Sequence, residues 1–267
     1  MIYLFGALGA VLSGVTAVLS GWTGGRLIGF FLLLTLGYTA ALLVVYIILL
    51  WIICLFIDRR KPQLQNDPFF RTLLNWTAEL LFQAARVQVK VIGAENLPKG
   101  RYLLVGNHLS SFDPIVTAWA LRKDRIAFVT KPENMRIPVV GSIIHKCCYL
   151  PIDRENSMNA VKTIQAAVDL IHRDVVSIGI YPEGTRNRGS EPLLPFRSGA
   201  FKIATKAGVP VVVAAVSGTD QIRRNFPLRP TVVTVDFCRV IDAETVSASK
   251  TTELSEMTRS ILLEALH

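Results

Sequence analysis

Charge is almost missing from the start of this sequence: between residues 1 and 57 the only charged side chain is Arg26. The other 48 charges fall in the remaining 210 residues, a density ordinary for a globular domain. That split excludes a wholly soluble protein, and an apolar head followed by one folded body excludes a multi-span channel or transporter. Cysteine is scarce too. Cys54, Cys147, Cys148 and Cys238 are too few for a disulfide scaffold, and none sits in a Cys-x-x-Cys or Cys/His arrangement that would hold zinc, so no metal is expected. No basic segment precedes the first apolar run, which argues against a cleaved signal peptide. Internal repeats, low-complexity tracts and a second boundary within the body are also lacking.

What is present begins with two apolar runs. Residues 1–25 and 27–57 are uncharged, and each exceeds the roughly 20 residues needed to cross about 30 Å of hydrocarbon. Gly21-Trp22-Thr23-Gly24-Gly25-Arg26 between them is rich in breakers and carries an interfacial Trp, which predicts a hydrophobic helical hairpin over residues 1–57. Gly6, Gly9 and Gly14 would allow its helices to approach closely. Asp58-Arg59-Arg60-Lys61 supplies a positive flank, and such flanks stay in the cytoplasm. The expected location is therefore an inner or other membrane with the body facing the cytoplasm.

Residues 58–86 read as a basic juxtamembrane segment followed by an amphipathic helix. Its apolar positions recur at 69/70, 73/74, 77, 80/81 and 84/85. Two placements are open for this helix, the membrane interface or the body's own core. Residues 87–267 alternate short β-type runs (87–92, 102–105, 126–129, 148–152, 175–180, 210–216, 232–240) with helical stretches near 115–121, 158–172, 201–207 and 254–263. This alternation predicts one α/β domain with a largely parallel or mixed sheet flanked by helices.

Reactive side chains collect at the ends of the β-type runs. Asn107-His108-Leu109-Ser110-Ser111-Phe112-Asp113-Pro114 follows the run 102–105. His108 and Asp113 would lie about 140° apart on one helix, so they meet only across a turn, with Asp113 capping the next helix and Pro114 in its N1 position. Taken alone, a loop histidine beside a helix cap explains the pair better. After the run 175–180 come Tyr181-Pro182-Glu183-Gly184-Thr185-Arg186, where a carboxylate, a flexible backbone, a hydroxyl and a guanidinium suit a phosphorylated polyol. A third run ends in Leu150-Pro151-Ile152-Asp153-Arg154.

Together with Val209-Pro210-Val211-Val212-Val213, these segments resemble, in order, the four motifs of the glycerolipid acyltransferases, most closely those of members that acylate lysophosphatidic acid. The likeness covers about residues 87–220. Tyr181 stands where the family often has Phe, and Val213 replaces a frequent second proline; neither departure removes an ionisable group. The resemblance implies transfer of a fatty acyl group from acyl-CoA or acyl carrier protein to the sn-2 hydroxyl of lysophosphatidic acid, giving phosphatidic acid, with no cofactor. It makes His108 the base that activates the hydroxyl and Asp113 the group that fixes its tautomer, with Asn107 in support. Arg186 and Arg154 would hold the acceptor phosphate, and Glu183 and Gly184 would shape the glycerol site, with Thr185 beside them as a substrate-binding hydroxyl. Lys131 after the run 126–129 is open between a third positive charge, support for the oxyanion and a solvated loop lysine.

Transfer to another lysolipid, a thioesterase or esterase using Ser110 or Ser111, and a non-catalytic lipid-phosphate binder remain as alternatives. His145 and His172 have no carboxylate at a telling spacing, and Cys147-Cys148 reads as core packing. The net charge of +9 includes Arg197, Lys202, Lys206, Arg223, Arg224 and Arg229. No aromatic platform or nucleic-acid motif accompanies them, so membrane phospholipid and an acidic acyl carrier are the expected partners rather than nucleic acid.

Overall fold

The computed structural model describes residues 2–21, 25–153 and 157–266. They form two compact units divided between Asp58 and Arg59. The first consists of α1 (Ile2–Leu19) and α2 (Gly25–Leu55), both long and apolar enough to cross a membrane, with mean hydropathies of 2.0 and 2.6. A polar seam joins them. The Thr35 hydroxyl donates to Ser13 Oγ at 3.0 Å, and Thr16 Oγ1 lies 2.9 Å from the Tyr38 hydroxyl. Of the three glycines expected to permit close approach, only Gly9 does so: a Cβ there would lie 2.9 Å from the Thr35 carbonyl oxygen, whereas Gly6 and Gly14 have nothing within 4 Å. Trp22, expected at the interface, lies outside the described residues.

The second unit runs α3 (Pro68–Ala84), β1 (Val87–Ile92), β2 (Leu103–Gly106), α4 (Asp113–Ala120), β3 (Ile126–Thr130), α5 (Val140–Lys146), β4 (Leu150–Pro151), α6 (Ser157–His172), β5 (Ser177–Ile180), α7 (Lys202–Ala207), β6 (Val211–Ser217), α8 (Ile222–Asn225), β7 (Thr231–Ile241), α9 (Ala243–Ala248) and α10 (Thr251–Leu266). The strands form one sheet in the order β1-β7-β6-β2-β5-β3-β4. All neighbours are parallel except β6 and β7, so the sheet is mixed, and β2 through β6 share one direction. The C-terminal ends of five strands thus line a single edge, where loops bring residues distant in sequence together.

Helices on both faces make the central strands continuously apolar. Leu103, Leu104, Val105, Ile178 and Val211 through Ala214 are fully buried, each aliphatic side chain contributing about 1.5–3 kcal/mol. Gly179 has a steric duty: a Cβ there would lie 2.4 Å from Phe128 Cε1, so its bare backbone makes room for the Phe128 ring.

The fourth strand is shorter than the run 148–152 suggests. Cys148 has φ +64°, outside the β region, so pairing begins only at Leu150. Burial pushes the Cys147 thiol up to about 11 and the Cys148 thiol up to about 12, which keeps both neutral packing groups.

Asp67 caps α3, accepting from the Phe69 and Phe70 amides at 3.0 and 3.3 Å, with Pro68 in the first turn. The helix buries Phe70, Leu73, Ala78 and Phe82 against the body and leaves Phe69 and Trp76 exposed. Buried Arg71 anchors it, donating to the Ile126 carbonyl at 2.6 Å and the Cys147 carbonyl at 3.1 Å.

Candidate active site

Where β2 ends, Asn107 continues the sheet with its side chain. Its amide donates to the Val216 carbonyl at 2.9 Å and its oxygen accepts from the Val216 amide at 2.7 Å, so the loop leaves β2 firmly tied to β6. His108 comes next. Its Nδ1 lies 2.7 Å from Asp113 Oδ2. Asp113 opens α4 and is fully buried, but no oxygen of its carboxylate lacks a partner. Oδ2 also accepts from the Leu109 and Ser110 amides at 2.7 and 2.8 Å, and Oδ1 accepts from the Thr219 hydroxyl beyond the end of β6.

A carboxylate only accepts, so Nδ1 carries the proton and Nε2 keeps its lone pair. The His108 side chain is 19% exposed, which leaves that nitrogen within reach of a substrate. The arrangement is an imidazole whose Nδ1 is fixed by a buried carboxylate.

The loop after β5 grips the same histidine. Gly184, at φ +73°, reverses the chain with its amide donating to the Tyr181 carbonyl at 3.0 Å. Tyr181 stacks on the His108 ring at 4.7 Å and 15°, and also stacks on Phe128 at 5.6 Å and 7°. The Tyr181 hydroxyl donates to Thr117 at 3.4 Å; burial, then the charge of Asp113, drive its pKa well above the ordinary phenol range, so it stays neutral.

Glu183 accepts from the His108 amide at 2.6 Å through Oε1 and from the Leu194 amide at 2.9 Å through Oε2. Burial raises its pKa, opposed by those two amides and by His108. The Asn187 amide donates to the His108 carbonyl at 2.6 Å.

Arg186 and Thr185 are exposed, and Arg186 Nη1 donates to Ser111 Oγ at 2.9 Å, which brings the guanidinium to the His108 loop. Lys131 follows β3 at the same edge, exposed and two strands from β2. Arg154 lies outside the described residues. Ser110 Oγ accepts from the Phe112 amide at 3.3 Å, and among the described residues no hydrogen bond joins either Ser110 or Ser111 to His108. His172 lies far off in sequence and contact, its Nε2 3.3 Å from the Ala207 carbonyl. Among the described residues no cluster of His, Cys, Asp and Glu could hold a metal.

Beside Tyr181 opens a cavity of about 270 Å³ walled by Val129, Ile152, Val161, Ile164 and Ile180. A larger depression of about 420 Å³ between Phe196 and α10 touches none of these groups, so size alone does not mark the site. The sequence carried no signal for Thr219, whose role depends on β6 ending beside β2. Tyr181 stood out only as a departure from a frequent Phe.

Comparison with known proteins points the same way. A family model described as "Acyltransferase" matches residues 88–217. The Salmonella typhimurium protein named 1-acyl-sn-glycerol-3-phosphate acyltransferase is 33% identical over 65% of this chain and 69% of its own length. Its Escherichia coli namesake is 34% identical over 61% and 66%, and that of Limnanthes douglasii 28% identical over 67% and 64%. Among solved structures, the 1-acyl-sn-glycerophosphate (LPA) acyltransferase of Thermotoga maritima shares the fold, with a TM-score of 0.63 at 23% identity over 83% of this chain and 87% of that one.

Proposed function

Because this chain belongs to the acyltransferase family and is an acyltransferase, we propose that it moves a fatty acyl group from a thioester donor to the free sn-2 hydroxyl of 1-acyl-sn-glycerol-3-phosphate, giving phosphatidic acid. The observation that carries the reading is the His108–Asp113 pair, with Nδ1 held at 2.7 Å and, among the described residues, no hydrogen bond on Nε2. An alcohol is a poor nucleophile at neutral pH, so it needs a base within hydrogen-bond reach. As the sn-2 oxygen attacks the thioester carbonyl, its proton passes to His108 Nε2. The C–S bond then breaks, and the imidazolium returns the proton to the departing thiolate, releasing a free thiol. Asp113 remains a carboxylate throughout and stabilises the imidazolium. The two serines already serve as partners of Phe112 and Arg186, which favours direct attack over an acyl-enzyme.

Arg186, oriented by Ser111, takes the acceptor phosphate, with Arg154 and Lys131 adding positive charge. The cavity beside Tyr181 is walled largely by aliphatic side chains, with Arg197 and Lys202 also in its lining, and suits a hydrocarbon chain next to a charged group. The head's two apolar helices suit a lipid substrate, and the body works from the cytoplasmic side, where acyl-CoA or acyl carrier protein delivers the donor.

The test is to reconstitute the full chain in vesicles with labelled acyl-CoA or labelled acyl carrier protein and a panel of lysolipids, and to identify the product. Label at the sn-2 position of phosphatidic acid is expected. Release of free fatty acid, or acylation confined to acceptors without a phosphate, would overturn the reading.

A further inference from the structure

Glu183 has a carboxylate that a ligand for glycerol hydroxyls would aim into the open site. Instead the residue is 5% exposed, and each of its oxygens accepts from a backbone amide, His108 at 2.6 Å and Leu194 at 2.9 Å. The same loop reaches His108 at two further points. The Asn187 amide holds its carbonyl at 2.6 Å, and the Tyr181 ring covers one face of the imidazole at 4.7 Å. With Asp113 on Nδ1, the described residues hold the amide, the carbonyl and Nδ1 of His108 and make no hydrogen bond to Nε2.

We infer that the 181–187 loop is a clamp on His108, and that Glu183 is a positioning residue for the base rather than a ligand for the acceptor. Only a carboxylate can do this. Both partners are donors, so an amide at this position would satisfy one and oppose the other with its own NH₂. The clamp also explains why a buried acid is kept despite its desolvation cost: a reacting group misplaced by about 1 Å loses on the order of 10²-fold in rate. The inference rests on the proposed role of His108 as base.

Two measurements on the full chain in phosphatidylcholine vesicles decide it. In the first, steady-state kinetics vary lysophosphatidic acid for wild type, Glu183→Gln and Arg186→Ala. The clamp predicts that Glu183→Gln lowers kcat by about tenfold or more while the acceptor KM stays near its wild-type value, and that Arg186→Ala raises that KM. A Glu183→Gln enzyme with raised acceptor KM and intact kcat would overturn the clamp, while leaving the His108 chemistry standing.

The second measurement needs no variant and so does not depend on the mutant folding. Histidine labelled with ¹⁵N gives amide signals from only four histidines. The short bond to Glu183 predicts that the His108 amide proton lies far downfield and stays there when the acceptor saturates. An upfield move on acceptor binding would mean that Glu183 leaves His108 for the acceptor, and would overturn the inference. Full activity in His108→Ala would instead overturn the reading on which it rests.

Discussion

A histidine serves as a base at neutral pH when one nitrogen is committed as a donor and the other is left open, and His108 meets that condition through one carboxylate with four donors around it. Replacing Asp113 by Asn keeps the size and leaves an oxygen for the three donors on the Oδ2 side, but removes the charge that stabilises the imidazolium. The expected result is a kcat lowered by about 10² or more with the fold intact, read by turnover and thermal unfolding of the same preparation. His108 and Asp113 were legible in the sequence only through the resemblance of four ordered motifs, because their spacing alone is better explained by a loop histidine beside a helix cap. Thr219 was not, since it lies 106 residues from Asp113 and reaches it only through the pairing of β6 with β2. Glu183 was legible as a site residue, but its partners are backbone amides, which no spacing rule reveals.

At the scale of elements, the site depends on β5 fitting beneath Phe128. Adding a side chain at Gly179 drives into that ring, which in turn supports Tyr181 against His108. Gly179→Val is expected to cost about 1–3 kcal/mol of stability and to lower kcat, whereas Gly100→Ala, with nothing within 4 Å of the new Cβ, should change neither. Thermal unfolding and turnover of the two variants side by side check this. Hydrophobic periodicity located every strand and most helices, because buried strands and amphipathic helices impose different repeats. It failed at Cys148, where an apolar residue in a left-handed conformation looks like strand until the backbone is seen. It also left α3 open between membrane and core; the helix buries Phe70 and Phe82 against the body and exposes Phe69 and Trp76.

Across the whole molecule, the apolar surface of the body is unevenly placed. The connections leaving the catalytic edge expose Ile137 and Val140 after β3, Met158 and Val161 after β4, and Phe226 and Leu228 after β6, the last two 55% and 81% exposed beside Arg223, Arg224 and Arg229. The connections 93–102, 121–125, 173–176 and 207–210 at the opposite edge expose no large apolar side chain, and there Ile92 at the end of β1 is the exposed neighbour, at 52%. An apolar rim with adjacent arginines suits contact with an anionic lipid surface. Phe226→Ser combined with Leu228→Ser should therefore lower activity on acceptor held in vesicles, and leave activity on a short-chain, water-dispersed acceptor unchanged. The alternation of strands and helices showed the α/β class, but the mixed sheet order was hidden, because the reversal between β6 and β7 is made by the 218–230 connection. The account as a whole stands on His108 acting as the base. Its most direct test is the rate of phosphatidic acid formation by His108→Ala, reconstituted in vesicles beside wild type: a fall of about 10² or more is predicted, and an unchanged rate would contradict it.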